Sequence, residues 1–184
     1  MAALTVEQAY TRYVLRVDPT LPRDGLAEPL DDASIELGAT YRSGAVRAAE
    51  PPPASLDDPR LRAWTVGARM PHLPLPEGAA STLDLVDGSF ALLVDDRLDD
   101  WTAAAAEAER DLGIPVPVHA VPVPPAAPSA SGTGWTGAAV VRPDHIVAWK
   151  PTVAAEPGAA VLRESLAALL AQPAGAARAD RIAT

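Results

Sequence analysis

The spacing of apolar and polar residues predicts two strands near the middle of the chain. Residues Phe90–Val94 form an unbroken apolar run, which is typical of a strand covered on both faces. We expect this run to be the central strand of a sheet. Residues Leu83–Val86 precede it across an Asp87–Gly88 turn and are predicted as a further strand.

Two amphipathic helices are predicted in the second half of the chain. The first covers Trp101–Leu112, with Asp99 or Asp100 as its cap and Gly113 as its left-handed end. The second covers Ala159–Gln172 and carries its leucines on one face. Both helices should pack on the sheet through their apolar faces.

Three more strands are expected between the helices. Residues Ile114–Val123 carry prolines at close intervals, which restricts this segment to the edge of a sheet. Residues Ala138–Lys150 are predicted to form two strands around a tight turn, after a loop at Pro124–Gly134. The order of elements from Leu83 onward predicts an α/β domain with a mixed sheet.

The first third of the chain is less regular. A helix is predicted at Leu4–Val17 and a short strand at Ile35–Tyr41, and Pro51–Pro53 should form an extended spacer. We therefore expect an N-terminal helix with an extended lead-in, a Pro-rich spacer, one main domain and a flexible tail, at residues 1–50, 51–66, 67–173 and 174–184.

Composition and charge narrow the classes of partner. The chain has 184 residues, a formal net charge of -9 and no cysteine. Nucleic acids and anionic membranes require clustered Lys and Arg, so neither is expected as a partner. Without cysteine, disulfides and thiol redox chemistry are excluded. A basic stretch followed by an apolar run does not open the sequence, and a run of about 18 apolar residues does not occur in it, so we expect a cytoplasmic protein.

Several passages resemble a known family. Residues Ala138–Lys150 resemble the closing hairpin of the C-terminal domain of FAD-dependent aromatic-ring hydroxylases of the phenol and polyketide type. Residues Gly67–Leu75, Ser81–Leu85 and Gly88–Leu93 resemble the beginning of that domain, in the same order. The resemblance implies an α/β, thioredoxin-like fold, a mixed sheet with flanking helices, here without redox cysteines. It also implies a setting in aromatic natural-product metabolism.

The family's flavin-binding signatures do not occur in this sequence. No Gly-x-Gly-x-x-Gly stretch follows a predicted strand, and no Gly-Asp pair suggests the second flavin contact. We therefore expect a stand-alone chain that lacks the FAD-binding body and binds no cofactor.

Three residues are candidates for acid–base chemistry, namely His72, Asp144 and His145. Each also has a structural interpretation, which we favour. A hydrogen bond from His72 could fix its loop, and Asp144 and His145 follow Pro143 in a predicted turn. The histidines lack the spacing of metal ligands, so no metal site is expected.

Five residues are candidates for holding an aromatic ligand. The indoles of three of them could line one cavity, and the other two are arginines in the passages that carry the resemblance. The alternative, which we favour, is that the tryptophans anchor the core of a chain with a single phenylalanine. The candidates are Trp64, Arg69, Trp135, Arg142 and Trp149.

Three hypotheses for function follow. The resemblance implies an auxiliary domain that supports oxidation of an aromatic polyketide or phenolic metabolite, either as a homodimer or docked on a separate flavin monooxygenase. The alternative is a cofactor-independent enzyme or binder that cyclises, isomerises or rearranges a polyketide-like ligand. A third possibility is a piece of a full hydroxylase. The sequence leaves open whether the chain is an enzyme.

Overall fold

The structure is a computed structural model that describes residues 16–17, 20, 31–48, 56, 58–76, 81–95, 97–122, 134–151 and 158–171. Among the described residues, strands and helices alternate from Ala91 onward. The strands are β1 (Ala91–Val94), β2 (Val118–Ala120), β3 (Ala138–Val141) and β4 (Val147–Trp149), and the helices are α1 (Asp32–Leu37), α2 (Leu98–Leu112) and α3 (Ala159–Leu169). Short 3-10 turns lie at Pro59–Arg62 and Thr82–Leu85.

The four strands form one mixed sheet in the order β2-β1-β3-β4. β1 runs parallel to β2, with Leu92 beside Val118, and antiparallel to β3. β4 pairs antiparallel with β3 past an irregularity between Val140 and Val141. All four residues of β1 are buried. The predicted central strand within Phe90–Val94 is thus confirmed.

Helices α2 and α3 pack against each other and cover one face of the sheet. The buried residues of α2 include Ala104, Ala105 and Ala108, and such small side chains allow close contact between helices. Gly113 ends α2 at a φ of 70°, which confirms the predicted left-handed stop. The buried side chains on this face form an apolar cluster that includes Leu92, Trp101, Val140, Trp149, Leu162 and Leu166.

The opposite face is covered by a set of segments that we call the lead-in layer, residues 40–48, 58–76 and 81–86. Its backbone extends the sheet beyond β4: the amide of Gly67 donates to the carbonyl of Val147 (2.8 Å), and the amide of Arg47 donates to that of Ala148 (2.7 Å). The amide of Tyr41 in turn donates to the carbonyl of Gly67 (2.8 Å). The buried side chains of this layer include Val46, Trp64, Val66, Met70 and Val86.

The strand predicted at Ile35–Tyr41 is wrong, because helix α1 occupies its first residues. The carboxylate of Asp31 accepts hydrogen bonds from the backbone amide and the hydroxyl of Ser34, both at 2.9 Å. This N-cap satisfies an amide that the helix leaves unpaired, and it outweighs the β-branched Ile35.

The strand predicted at Leu83–Val86 is also wrong, for a related reason. The hydroxyl of Ser81 accepts from the amide of Leu83 (3.2 Å) and donates to the carboxylate of Asp84 (3.0 Å). These contacts close a 3-10 turn over Thr82–Leu85 instead of leaving the backbone extended.

The predicted start of α2 needs a correction. The helix begins at Leu98, and its N-cap residue Arg97 makes no capping hydrogen bond with its side chain. Asp99 and Asp100 therefore do not cap the helix. They lie in its first turn, where the helix dipole favours negative charge.

The remaining elements agree with the predictions in kind. β2 lies at the sheet edge, β3 and β4 form the hairpin, and α3 begins at Ala159. Of the helix predicted at Leu4–Val17 only Arg16 and Val17 are described, and both are helical. Three further predictions lie outside the described residues: the Pro51–Pro53 spacer, the tail at 174–184, and the loop at Pro124–Gly134 apart from Gly134 itself. The division at residues 50, 66 and 173 stays a prediction.

Candidate functional site

The turn between β3 and β4 sets the directions of two candidate residues. The amide of Arg142 donates to the carbonyl of Ile146, and the amide of His145 donates to that of Arg142, both at 2.9 Å. Pro143 and Asp144 form the body of the turn, and His145 has a φ of 65°. A three-residue hairpin loop commonly places glycine in this left-handed position, so histidine here carries backbone strain.

Asp144 is paired with Arg142. The guanidinium donates to both carboxylate oxygens, with Nη2 at 2.7 Å from Oδ2 and Nε at 3.1 Å from Oδ1. A third nitrogen, Nη1, lies 3.4 Å from the carbonyl oxygen of Ala45. The same guanidinium lies over the ring of Tyr41, 5.8 Å from its centroid. Arg142 therefore connects the hairpin turn to the lead-in layer.

The ring of His145 points to a different partner. Its Nε2 lies 3.2 Å from the carbonyl oxygen of Leu83. A carbonyl only accepts, so Nε2 carries the hydrogen in this arrangement. Asp144 and His145 are neighbours in the turn, but the carboxylate contacts Arg142 and the imidazole contacts the 3-10 turn.

His72 lies in an extended segment of the lead-in layer, and its side chain is exposed. The backbone on both sides of it is held by Thr82, which is fully buried. The hydroxyl of Thr82 donates to the carbonyl of Pro71 (2.6 Å) and accepts from the amide of Leu73 (3.1 Å). Half-buried Arg69 forms an isolated bridge with Ile146 on the hairpin.

The three candidate tryptophans lie on two faces of the sheet. Trp64 of the lead-in layer and Trp135 meet edge to face on the same side of the sheet, with ring centroids 4.6 Å apart. Trp64 is 1% exposed and has a φ of 61°. Trp149 belongs to the apolar cluster under α2 and α3. The structure thus brings together two of the three indoles.

Sequence reasoning did not select Lys150, which the structure sets apart. Its Nζ donates to the carbonyl of Gly134 (2.6 Å), and burial lowers the pKa of the amine to about 8. Lysine occurs once in this chain, at the end of β4, whereas all other basic side chains except the histidines are arginine. The single lysine was the one feature of the sequence that could have drawn attention to this position. Burial likewise lowers the pKa of His119 on the edge strand.

The β1-α2-β2 unit is where a nucleotide phosphate would lie in an α/β fold, at the start of the helix. Here Arg97 precedes α2 and donates to Asp95, and Asp99 and Asp100 make the first turn acidic. This junction lacks the glycine backbone that a pyrophosphate needs and would repel its charge, so it does not fit FAD. Within the part of the chain that the structure describes, we find no group of three or more His, Asp or Glu side chains that could hold a metal ion.

Comparison with known proteins places the chain in a family. Residues 63–173 match the family described as "Aromatic-ring hydroxylase, C-terminal". The chain therefore belongs to this family of hydroxylase C-terminal domains. The match covers β1 to β4, α2, α3 and most of the lead-in layer.

Curated relatives and a solved structure agree with the assignment. The chain is 34% identical to 4-methyl-5-nitrocatechol 5-monooxygenase of Burkholderia sp and 33% identical to aklavinone 12-hydroxylase of Streptomyces purpurascens, over 92% of its own length and 33% of theirs. It also resembles a crystal structure of aklavinone-11 hydroxylase with FAD and aklavinone, with a TM-score of 0.70 and 32% identity over 91% of this chain and 32% of that one. The chain spans about a third of the length of these relatives.

No described helix is long and apolar enough to cross a bilayer.

Proposed function

We propose that this chain is an auxiliary domain of aromatic-ring hydroxylation, which supports a flavin-binding hydroxylase by docking or self-association. Its family membership supports this setting, and its relatives are named for reactions on a nitrocatechol and on aklavinone. Under this proposal the supported reaction is oxidation of an aromatic polyketide or phenolic metabolite in the cytoplasm. The residues of this chain contribute packing, and a partner supplies the flavin.

The observation that carries the proposal is the structural use of the candidate polar groups. Arg142 and Asp144 are bonded to each other, and Arg142 reaches the carbonyl of Ala45. His145 donates to the carbonyl of Leu83. A general acid or base must direct its proton or lone pair at a substrate. These groups instead connect the hairpin to the lead-in layer.

The connectivity supports a thioredoxin-like assignment, which we include in the proposal. A parallel β1-α2-β2 unit is followed by an antiparallel hairpin and a final helix, in the order β2-β1-β3-β4. With no cysteine in the chain, this fold would serve packing and not thiol exchange.

Complementation in trans tests the proposal. The flavin-binding part of the Burkholderia monooxygenase, cut before the region that this chain matches, is mixed with this chain. We expect the two to elute together from a sizing column with bound flavin, and hydroxylation to increase. A homodimer in sedimentation would support the self-association form.

The control is the relative's own C-terminal third, supplied in the same way. If that third restores the flavin-binding part while this chain stays monomeric and unbound, docking and self-association are both contradicted.

A further inference from the structure

The residues just before β3 and just after β4 lie next to each other, and one of them carries an amine. Lys150 Nζ donates to the carbonyl of Gly134, at 2.6 Å. Trp135 and Thr136 follow Gly134 directly, and Trp135 packs against Trp64. The half-buried amine is therefore bonded to the residue that directly precedes an indole and a hydroxyl side chain.

The same segment holds buried polar groups that the fold leaves unused. Within the described residues, buried side-chain polar atoms lack a hydrogen-bond partner at four positions, and two of these are Trp135 Nε1 and Thr136 Oγ1. Buried donors in native proteins are normally paired, so two unpaired donors in succession suggest a place for an acceptor oxygen.

The amine has the chemistry of a nucleophile. Burial disfavours its charged form and lowers the pKa of Lys150 to about 8, against about 10.4 for an ordinary lysine. At pH 7 the neutral fraction is then on the order of 100-fold larger than for an exposed lysine. A lysine amine that burial keeps partly neutral is suited to condensation with a carbonyl compound.

We propose that Lys150 is a covalent attachment site for a hydroxylated aromatic aldehyde, whose ring lies against Trp135 and whose hydroxyl oxygen accepts a hydrogen bond from the indole or from Thr136. The ammonium first loses a proton to solvent, and the neutral amine adds to the carbonyl carbon. The carbinolamine then loses its oxygen as water, which leaves a carbon–nitrogen double bond. The reaction needs no oxidant or reductant, and this site does not depend on docking to a flavoprotein.

Reductive trapping tests the site. The full chain is incubated at pH 7 with 2-hydroxybenzaldehyde and sodium cyanoborohydride, and adducts are counted by intact mass and located by peptide mapping. We expect one adduct to accumulate first, at Lys150. The α-amine of Met1 provides an internal comparison within the same molecules.

A relocated lysine provides the matched control. In the double variant Lys150→Arg, Arg110→Lys, the chain keeps its charge and carries one lysine, on the exposed side of α2. We expect the introduced amine to react at least about 10-fold more slowly than Lys150 at pH 7, since its neutral fraction is smaller. Butanal should show a smaller difference between the two amines, because it has no ring to contact Trp135.

Two results would overturn the site. One is modification of Met1 with Lys150 left unmodified. The other is an equal rate at Lys150 and at the amine introduced by Arg110→Lys, with circular dichroism showing both proteins folded.

Discussion

The two faces of the sheet are covered in different ways. On one face α2 and α3 pack through alanines and leucines, and their backbone hydrogen bonds are closed within each helix. On the other face the lead-in layer bonds its backbone to the outer edge of β4 and is clamped by the polar side chains of the hairpin. The helical face thus depends on apolar packing, and the lead-in face depends on packing together with directional contacts.

This difference between the two faces explains where the residues that resembled a functional site lie. The passages at Gly67–Leu75 and Ser81–Leu85, and the turn from Arg142 to His145, all belong to the lead-in face. A layer of irregular backbone needs fixed turns and satisfied main-chain groups. Residues that meet these needs, such as His, Arg, Asp and Gly, therefore occur close together in short segments. In the sequence alone, such segments resemble an active site.

The largest effect should come from removing one buried indole on each face. Trp64 and Trp101 are each 1% exposed, on opposite sides of the sheet. We expect Trp64→Ala and Trp101→Ala each to lower the free energy of unfolding by about 3–5 kcal/mol, since each leaves a large cavity. Urea denaturation followed by circular dichroism measures both. A loss below about 1 kcal/mol for Trp64→Ala would show that the lead-in layer is not part of the core.

Alanine substitutions at two glycines, one on each face, distinguish the cost of close packing from the cost of backbone strain. Gly67 and Gly113 have φ values of 90° and 70°, so alanine at either costs about 1–2 kcal/mol. A β-carbon at Gly67 would also collide with the carbonyl oxygen of Tyr41, whereas Gly113 faces open space. We expect Gly67→Ala to cost about 1–3 kcal/mol more than Gly113→Ala. Equal losses in the same urea experiment would contradict the tight contact between the two segments.

His145 tests the clamp itself. His145→Ala removes the hydrogen bond to Leu83, worth about 0.5–1.5 kcal/mol, and keeps the strained backbone. His145→Gly loses the same bond but relieves the strain, so it should be about 1 kcal/mol more stable than His145→Ala. Thermal unfolding of the two variants measures the difference. Alanine as stable as glycine here would argue against a strained turn.

The smallest effect is expected at the partly exposed ion pair. Asp144 is 48% exposed at its side chain, and pairs of this kind contribute about 0.2–1 kcal/mol. Asp144→Asn should therefore lower the unfolding free energy by less than about 1 kcal/mol, and high salt should reduce the difference from the wild type. A loss above about 2 kcal/mol would mean that the carboxylate is more deeply coupled to the core than its exposure indicates.

Much of the regular structure could be predicted from local patterns. The apolar run of β1, the proline-rich edge strand β2 and the left-handed Gly113 each follow from a rule of backbone geometry. Local hydrogen bonding decided the two segments that were wrongly predicted as strands. Asp31 with Ser34 and Ser81 with Asp84 have the three-residue spacing of capping contacts, a signal present in the sequence.

The candidate site was less predictable, because it depends on register and burial. The irregularity between Val140 and Val141 affects which face of the hairpin each side chain lies on, and Trp149 lies across the sheet from Trp135. The contact of His145 with Leu83 joins distant segments, and the lowered pKa of Lys150 arises from tertiary burial. No local pattern contains these facts.

The most direct measurement is amide hydrogen exchange by NMR, for the wild type and for Arg142→Leu and His145→Ala. If the hairpin residues hold the lead-in layer, both variants will exchange faster at the amides of Tyr41, Arg47 and Gly67, while amides within α2 change little. His72→Ala, at an exposed side chain, should match the wild type. Unchanged exchange in the lead-in layer of both variants would contradict the structural role of Arg142 and His145, and it would favour Arg142 as a ligand-binding residue and His145 as a catalytic one.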